Sequence, residues 1–359
     1  MDYAAAIVHF PKITHTRAKK LMSFFPNPKS AWEAELPELV AAGLEDTIAN
    51  ELIEWRETVS VEKISEELVS AGITVYCLAD RDYPELLLQI TDPPAALFVR
   101  GKLPPKGQPA VSIVGTRKCT TYGIRAAREI STELARNGVA IVSGLALGID
   151  GHAHAAALEA NGVTVAVLGS SVDRLHVYPA SHSPLAEQIV ERGGAIVSEY
   201  PPGFLPTAYS FPARNRIIAG LSLGTLIIEA PQTSGALITA ARALDYNREV
   251  FAIPHPITSE QGTGCNDLLK RGAGLVRNAT DILEYLQLQH IEEVISTNQN
   301  IPSNPVEAQI LNFLSKEPRH IDELIKLTSL SSSQVNSSLT VMEMKGRVKN
   351  LGGMTYVLK

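Results

Sequence analysis

PAVSIVGTRKCTTYG, residues 109–123, is the stretch from which the fold is read. Val111 to Val114 is a short, almost wholly apolar run of β-favouring residues, the pattern of a strand buried on both faces of a parallel sheet. The run ends in Gly115-Thr116-Arg117, and a hydroxyl-rich turn opens onto a helix expected to begin near Tyr122. Gly115 lets the backbone turn sharply and approach a ligand. Thr120 or Thr121 can cap the helix, and the N–H groups of its first turn point toward anything anionic. Arg117 adds a planar fork of donors suited to phosphate. Taken alone, the stretch reads equally well as an ordinary strand-turn-helix with a solvated arginine.

Repetition moves the balance. Val139 to Val142 runs into Ser143-Gly144, and Thr225 to Ile228 runs into Glu229-Ala230 and then Thr233-Ser234-Gly235. Further strand candidates are Thr164 to Leu168, Ala195 to Val197, Val250 to Ile253 and Gly274 to Val276, with helix-length intervals between most of them. Short apolar strands alternating with helices predict a Rossmann-like, parallel, doubly wound α/β sheet. In such sheets the ligand crevice lies outside the carboxyl ends of the strands. Three loops rich in glycine and hydroxyl groups converging there would make a polyanion site.

At 359 residues, 45% apolar and 19% charged, the chain is long enough for two or three domains with a sizeable core. No segment reads as a membrane span or a signal peptide, so the cytoplasm is the expected location. Cys77, Cys119 and Cys265 are far apart and show no CxxC spacing, so neither a disulfide framework nor a zinc site is expected. The net charge of −6 excludes a protein coated in positive charge. From Ser303 onward, however, seven basic residues face five acidic ones, so any nucleic-acid site must be local.

Residues 1–72 read as a small helical domain with segments Tyr3 to His9, Thr14 to Phe25, Leu36 to Ala42 and Glu45 to Ala71. Its Pro11-Lys12-Ile13-Thr14-His15 turn lacks the glycine of a DNA-binding helical hairpin. Residues 73–288 form the sheet domain, beginning with strands Ile73 to Leu78 and Ala96 to Val99. A Ser/Thr/Asn/Gln/Pro-rich linker is expected at 289–304. Residues 305–359 have the outline of a winged helix: helices Pro305 to Leu314, His320 to Thr328 and Ser332 to Met344, then a hairpin turning at Gly352-Gly353. The third helix has no arginine or lysine before Lys345, so protein contact and DNA contact are both open to it.

Phe211-Pro212-Ala213-Arg214-Asn215-Arg216 places two guanidinium groups beside an aromatic ring and an amide. Arginine forks take phosphates, an aromatic face stacks an unpaired base, and asparagine can read a base edge. The alternative is a helix start with a buried phenylalanine and exposed arginines. Lys270 and Arg271 are expected to add positive charge near the same rim. Asp150, His152 and His154 invite a metal reading, but residues two apart on a helix face different ways, so local packing is the simpler reading. Glu199 and Glu229, at strand ends, could be an acid/base pair or could position loop N–H groups.

The stretches YPELLLQITDPPAALFVRG, SIVGTRKCTTYG, IVSGLALGIDGHAHAAAL, SEYPPG, FPARNRIIAGLS, EAPQTSGALITAARALDYNREVFAIP and GTGCNDLLKRGA together resemble the DNA-processing protein A family, also called Smf. The resemblance is dense over roughly residues 80 to 285 and looser in the two flanking domains. It implies a protein of natural transformation, without catalytic residues, cofactor or metal. Such a protein binds and protects incoming single-stranded DNA and loads the RecA recombinase, usually as a homodimer. It also implies a binding set of Gly115, Thr116, Arg117, Ser143, Gly144, Phe211, Arg214, Asn215, Arg216, Ser234 and Gly235. Departures from the family pattern are Leu147 where arginine is usual, His182 for asparagine and His255 for glycine. The loss of a guanidinium at 147 is expected to weaken the site. The competing function is a Rossmann-like enzyme that hydrolyses a nucleotide or nucleotide sugar.

Overall fold

The computed structural model describes residues 2–288, 305–314, 318–328, 330–344 and 348–358. Its contacts divide the chain into two units, Met1–Leu288 and Gln289–Lys359. The linker expected at 289–304 lies outside the described residues.

Nine strands form one sheet in the first unit: β1 (Ile73–Cys77), β2 (Ala96–Gly101), β3 (Ala110–Val114), β4 (Ala140–Ser143), β5 (Thr164–Val167), β6 (Ala195–Ser198), β7 (Gly224–Ile227), β8 (Glu249–Ala252) and β9 (Gly274–Leu275). Their order is β1-β2-β6-β5-β4-β3-β7-β8-β9. The seven strands from β6 to β9 are parallel, while β2 runs antiparallel to both β6 and β1. The chain winds outward from β3 through β4 and β5 to β6, then returns to the other side of β3 for β7. That reversal opens the topological crevice beside β3. Every residue of β3 to β7 is buried, which explains the unbroken apolar runs.

Six helices precede the sheet: α1 (Tyr3–His9), α2 (His15–Phe24), α3 (Pro28–Glu33), α4 (Leu36–Ala41), α5 (Asp46–Thr58) and α6 (Val61–Ser70). The sequence reading missed α3, because Pro28 breaks a helix interior but is well placed in a first turn, where Asn27 accepts from the Ser30 N–H at 2.9 Å. The segment expected as one helix over Glu45 to Ala71 is interrupted at Val59-Ser60, where the Ser60 hydroxyl caps α6. These helices have a core of their own around Leu21, Leu39 and Leu52. They also share Ala5, Ile64 and Leu68 with the sheet residues Phe98, Ala166 and Ile196. The whole of Met1–Leu288 is therefore one contact unit.

The helices of the sheet region are α7 (Glu85–Leu88), α8 (Thr121–Arg136), α9 (Ile149–Glu159), α10 (Ser183–Glu191), α11 (Ser210–Gly220), α12 (Ala236–Asp245), α13 (Thr263–Lys270) and α14 (Ala279–Tyr285). Gly123, Ala127, Ile130 and Leu134 recur at helical spacing and form the buried stripe of α8. The second unit contains helices Pro305–Leu311, Ile321–Thr328 and Ser332–Met344 around Leu324, Val335 and Leu339. Its sheet has a short third strand, Arg319–His320, beside the hairpin Val348–Asn350 and Thr355–Leu358, so the wing is three-stranded.

Candidate nucleic-acid interface

The crevice is a cleft of about 480 Å³ at the carboxyl ends of β3 and β7. Its lining includes Gly115 to Lys118, Phe211, Arg214, Asn215 and Thr233 to Gly235. That volume lies within the range of small-molecule sites. Ser143 and Gly144 sit behind the lining: Ser143 Oγ donates to the Ile113 carbonyl at 2.6 Å, and Gly144 N–H donates to Asp150 at 3.0 Å.

Four helices begin around the cleft, α8, α9, α11 and α12, and two of them already hold an internal carboxylate. At α8, the Glu229 carboxylate accepts from the Thr120 N–H at 2.8 Å and from the Thr120 hydroxyl at 2.5 Å. The Glu229 carbonyl accepts from the Thr116 N–H at 2.7 Å. Gly123 is required for this fit, because a Cβ there would lie 2.3 Å from Glu229 Oε2. Thr120 is the cap, accepting from the Gly123 N–H at 3.2 Å. At α9, Asp150 occupies the first turn and accepts from Gly144. Burial pushes the Asp150 carboxyl up, against the pull of the nearby Arg214 guanidinium. The first turn of α12 contains no acidic residue, and its N–H groups meet only neutral oxygens: Ser234 Oγ, the Ser234 carbonyl and the Gly235 carbonyl. The positive end of α12 is thus offset by no carboxylate among the described residues, in contrast to α8, where Glu229 reaches in, and to α9 with its own Asp150.

The arginines divide sharply. Arg117 is exposed on the loop, with its guanidinium carbon 5.6 Å from the centroid of the half-buried Phe211 ring. One face of Phe211 therefore already carries a cation. Arg214 is buried, packs over Gly144 and donates to the Gly144 carbonyl at 2.7 Å and to the Val167 carbonyl. Burial lowers it to about 10, so it remains cationic at neutral pH and ties β4 to β5 beneath the cleft. Asn215 donates to the Gly235 carbonyl at 3.2 Å and accepts from Arg214 Nε, which positions the start of α12.

Two expected members are placed elsewhere. Arg216 is buried away from the lining, paired with Glu199 at 2.5 Å and with Asp92 at 3.6 Å. Lys270 closes α13, a helix that starts at the carboxyl edge with Gly264 N–H on the Ala230 carbonyl and runs antiparallel to the strands. Its last turn therefore lies by the opposite edge, and Lys270 adds no charge to the cleft. The carboxylates weighed as an acid/base pair are both engaged, Glu229 with Thr120 and Glu199 with Arg216.

The departures are accommodated locally. His182 Nδ1 meets the Leu145 carbonyl at 2.9 Å, and His255 Nε2 meets the Ile228 carbonyl at 2.8 Å. The His255 backbone is not among the positive-φ positions, so its Cβ causes no strain there. Leu147 is exposed. Among the described residues, no group of three or more His, Cys, Asp or Glu side chains could hold a metal ion. No helix of the described residues is long and apolar enough to cross a membrane. Sequence reasoning missed Tyr178, whose ring packs 5.4 Å from Phe211. The available signal was its position in the loop after β5, at the carboxyl edge.

Fold and cleft define a Rossmann-like binding protein whose carboxyl-edge loops suit an anion. A family model described as DNA recombination-mediator protein A matches residues 74–287, and one described as the DprA winged helix domain matches residues 296–354. The chain belongs to the DNA recombination-mediator protein A family. Protein Smf of Synechocystis is 34% identical over 380 residues, which is 94% of each chain. Protein Smf of Escherichia coli is 50% identical over 205 residues, covering 57% of this chain and 54% of the relative. The crystal structure of DNA processing protein A from Streptococcus pneumoniae matches with a TM-score of 0.68 and 33% identity, over 79% of this chain and 97% of that one. DNA processing protein A from Helicobacter pylori, described for its single-stranded DNA binding mode, matches with a TM-score of 0.53 and 32% identity, over 60% and 95% of the chains.

Proposed function

We propose that this chain binds single-stranded DNA at the carboxyl edge of its sheet and acts, without catalytic turnover, as a recombination mediator. In this reading Gly115 to Arg117 and Ser234-Gly235 hold phosphates, while Phe211 borders a base. The bound strand is protected in the cytoplasm and passed by a homodimer to the RecA recombinase. The observation that carries the reading is an exposed guanidinium and an aromatic ring at the mouth of an open cleft, facing a helix start without its own carboxylate. Membership of the family and the single-strand description of the Helicobacter relative support it. A hydrolase would need a poised carboxylate, and Glu229, Asp150 and Glu199 are each committed to protein partners.

Anisotropy titrations with labelled single- and double-stranded oligonucleotides of one sequence test this. Tighter single-strand binding that weakens with salt is the expected outcome. A clear duplex preference overturns the reading. Sedimentation of the protein, and RecA filament assembly on protected strands with and without it, test the two partner assignments.

A further inference from the structure

Resting on the single-strand reading above, we propose that Tyr178 is a second stacking platform, on which the strand lays a base as it leaves the cleft past Phe211. Arg117 lies across one face of Phe211, and the ring is half-buried. Tyr178 adjoins it at a centroid distance of 5.4 Å and an interplanar angle of 49°, and is 46% exposed. Arg117 follows β3, and Tyr178 follows β5. Guanidinium, phenyl ring and phenol ring are thus successive neighbours, the first two in the cleft lining and Tyr178 just beyond it.

The other aromatic groups of this edge fit the role less well. Tyr200 and Phe204 stack on each other at 4.1 Å and 7°, so each already covers a face of the other. Tyr122 packs edge-on against His255. Tyr209 is 87% exposed but belongs to no ring pair among the described residues. The loop carrying Tyr178 is held firmly. Asp173 accepts from Ser171 Oγ at 2.7 Å and from the Gly203 N–H at 2.9 Å and pairs with His176, while Val177 is buried. A platform fixed in advance loses little freedom when a base lands on it. Stacking on such a ring tolerates any base, as a mediator of arbitrary incoming sequence requires.

The test is a cycle between residue and base. The wild-type protein, Tyr178→Ala, Tyr178→Trp and Tyr209→Ala are titrated with a homopolymeric oligonucleotide and with versions carrying one abasic site at successive positions. Tyr178→Ala is expected to weaken binding to the intact strand by about 5- to 150-fold. That penalty should vanish when one particular position is abasic, while Tyr178→Trp binds as the wild type does and Tyr209→Ala changes little. An intact-strand affinity unaffected by Tyr178→Ala overturns the proposal, as does a penalty that persists at every abasic position. A loss equal in Tyr209→Ala also overturns it. If those outcomes occur while Arg117→Ala still weakens binding, the single-strand reading stands without the platform. If the wild-type protein does not bind the strand, that reading fails as well.

Discussion

Helices α8 and α12 both start at the cleft from a strand end, yet only one of them is already satisfied. The α8 terminus is filled from within by the Glu229 carboxylate, which accepts the Thr120 N–H and hydroxyl across the β3–β7 junction. The α12 terminus has only neutral oxygens. The contrast teaches that a helix start at a crevice is not an anion site by default. A protein can occupy its own positive end to fix a loop, leaving a neighbouring one to meet the ligand. Here the filled terminus shapes the loop that carries Arg117, and the unfilled one lies across the cleft from it.

The largest effect should come from emptying the filled terminus. Glu229→Gln leaves an amide that cannot accept from both Thr120 groups, and loss of a buried charged acceptor is expected to lower stability by about 1.5–3 kcal/mol. Denaturant unfolding measures this, and an unchanged midpoint would break the comparison.

Acid should loosen the filled side next. His154 on α9 is fully buried with Nδ1 at 2.7 Å from Thr164 Oγ1, and its Nε2 has no partner among the described residues; burial holds it neutral down to about 3. Its folded value lies below its unfolded one, so the unfolded chain binds more protons between these values. Stability is fully present above about pH 6.5 and falls as pH drops toward 3. The slope approaches about 1.4 kcal/mol per pH unit from this one group. His15 is shifted in the same direction, to about 4, by burial and by Arg216. Melting between pH 7 and 5 should show the decline, and a flat profile would remove His154 from the account.

Giving α12 what α8 has should separate stability from binding. Ser234→Asp supplies a carboxylate to the open terminus and is expected to leave stability equal or raise it by up to about 1 kcal/mol. The same change should reduce single-strand affinity roughly tenfold, about 1.4 kcal/mol, through repulsion of phosphate. Ser234→Asn should not. Equal binding by both variants would place the phosphate elsewhere.

The smallest change is in salt dependence. Arg117→Ala should leave melting unaltered, since the side chain is exposed, and reduce the slope of log affinity against log salt by about 0.7. A variant with the parent slope shows that Arg117 touches no phosphate.

Much of the sheet was legible because its strands are buried on both faces and so appear as uninterrupted apolar runs. Gly115-Thr116-Arg117 was legible for the same reason, since it ends such a run. The fates of Arg214 and Arg216 were not. An arginine is ordinarily assigned to the surface, and only folding reveals the carbonyls of Gly144 and Val167 or the distant carboxylates of Glu199 and Asp92 that make burial tolerable. Lys270 was misplaced because chain proximity to a glycine-rich turn says nothing of which sheet edge a helix ends on. Tyr178 was passed over because its partner ring is far along the chain.

The reversed strand β2 has a geometric consequence. The seven strands from β6 to β9 present their carboxyl ends side by side at one edge, and β2 interrupts that row by turning its amino end there before β1 resumes the common direction. With neighbouring strands about 4.8 Å apart, that row is about 30 Å long. Strand polarity therefore works as a ruler: on the single-strand reading proposed above, it limits the uninterrupted row of carboxyl-end loops that one copy of the sheet can offer a strand.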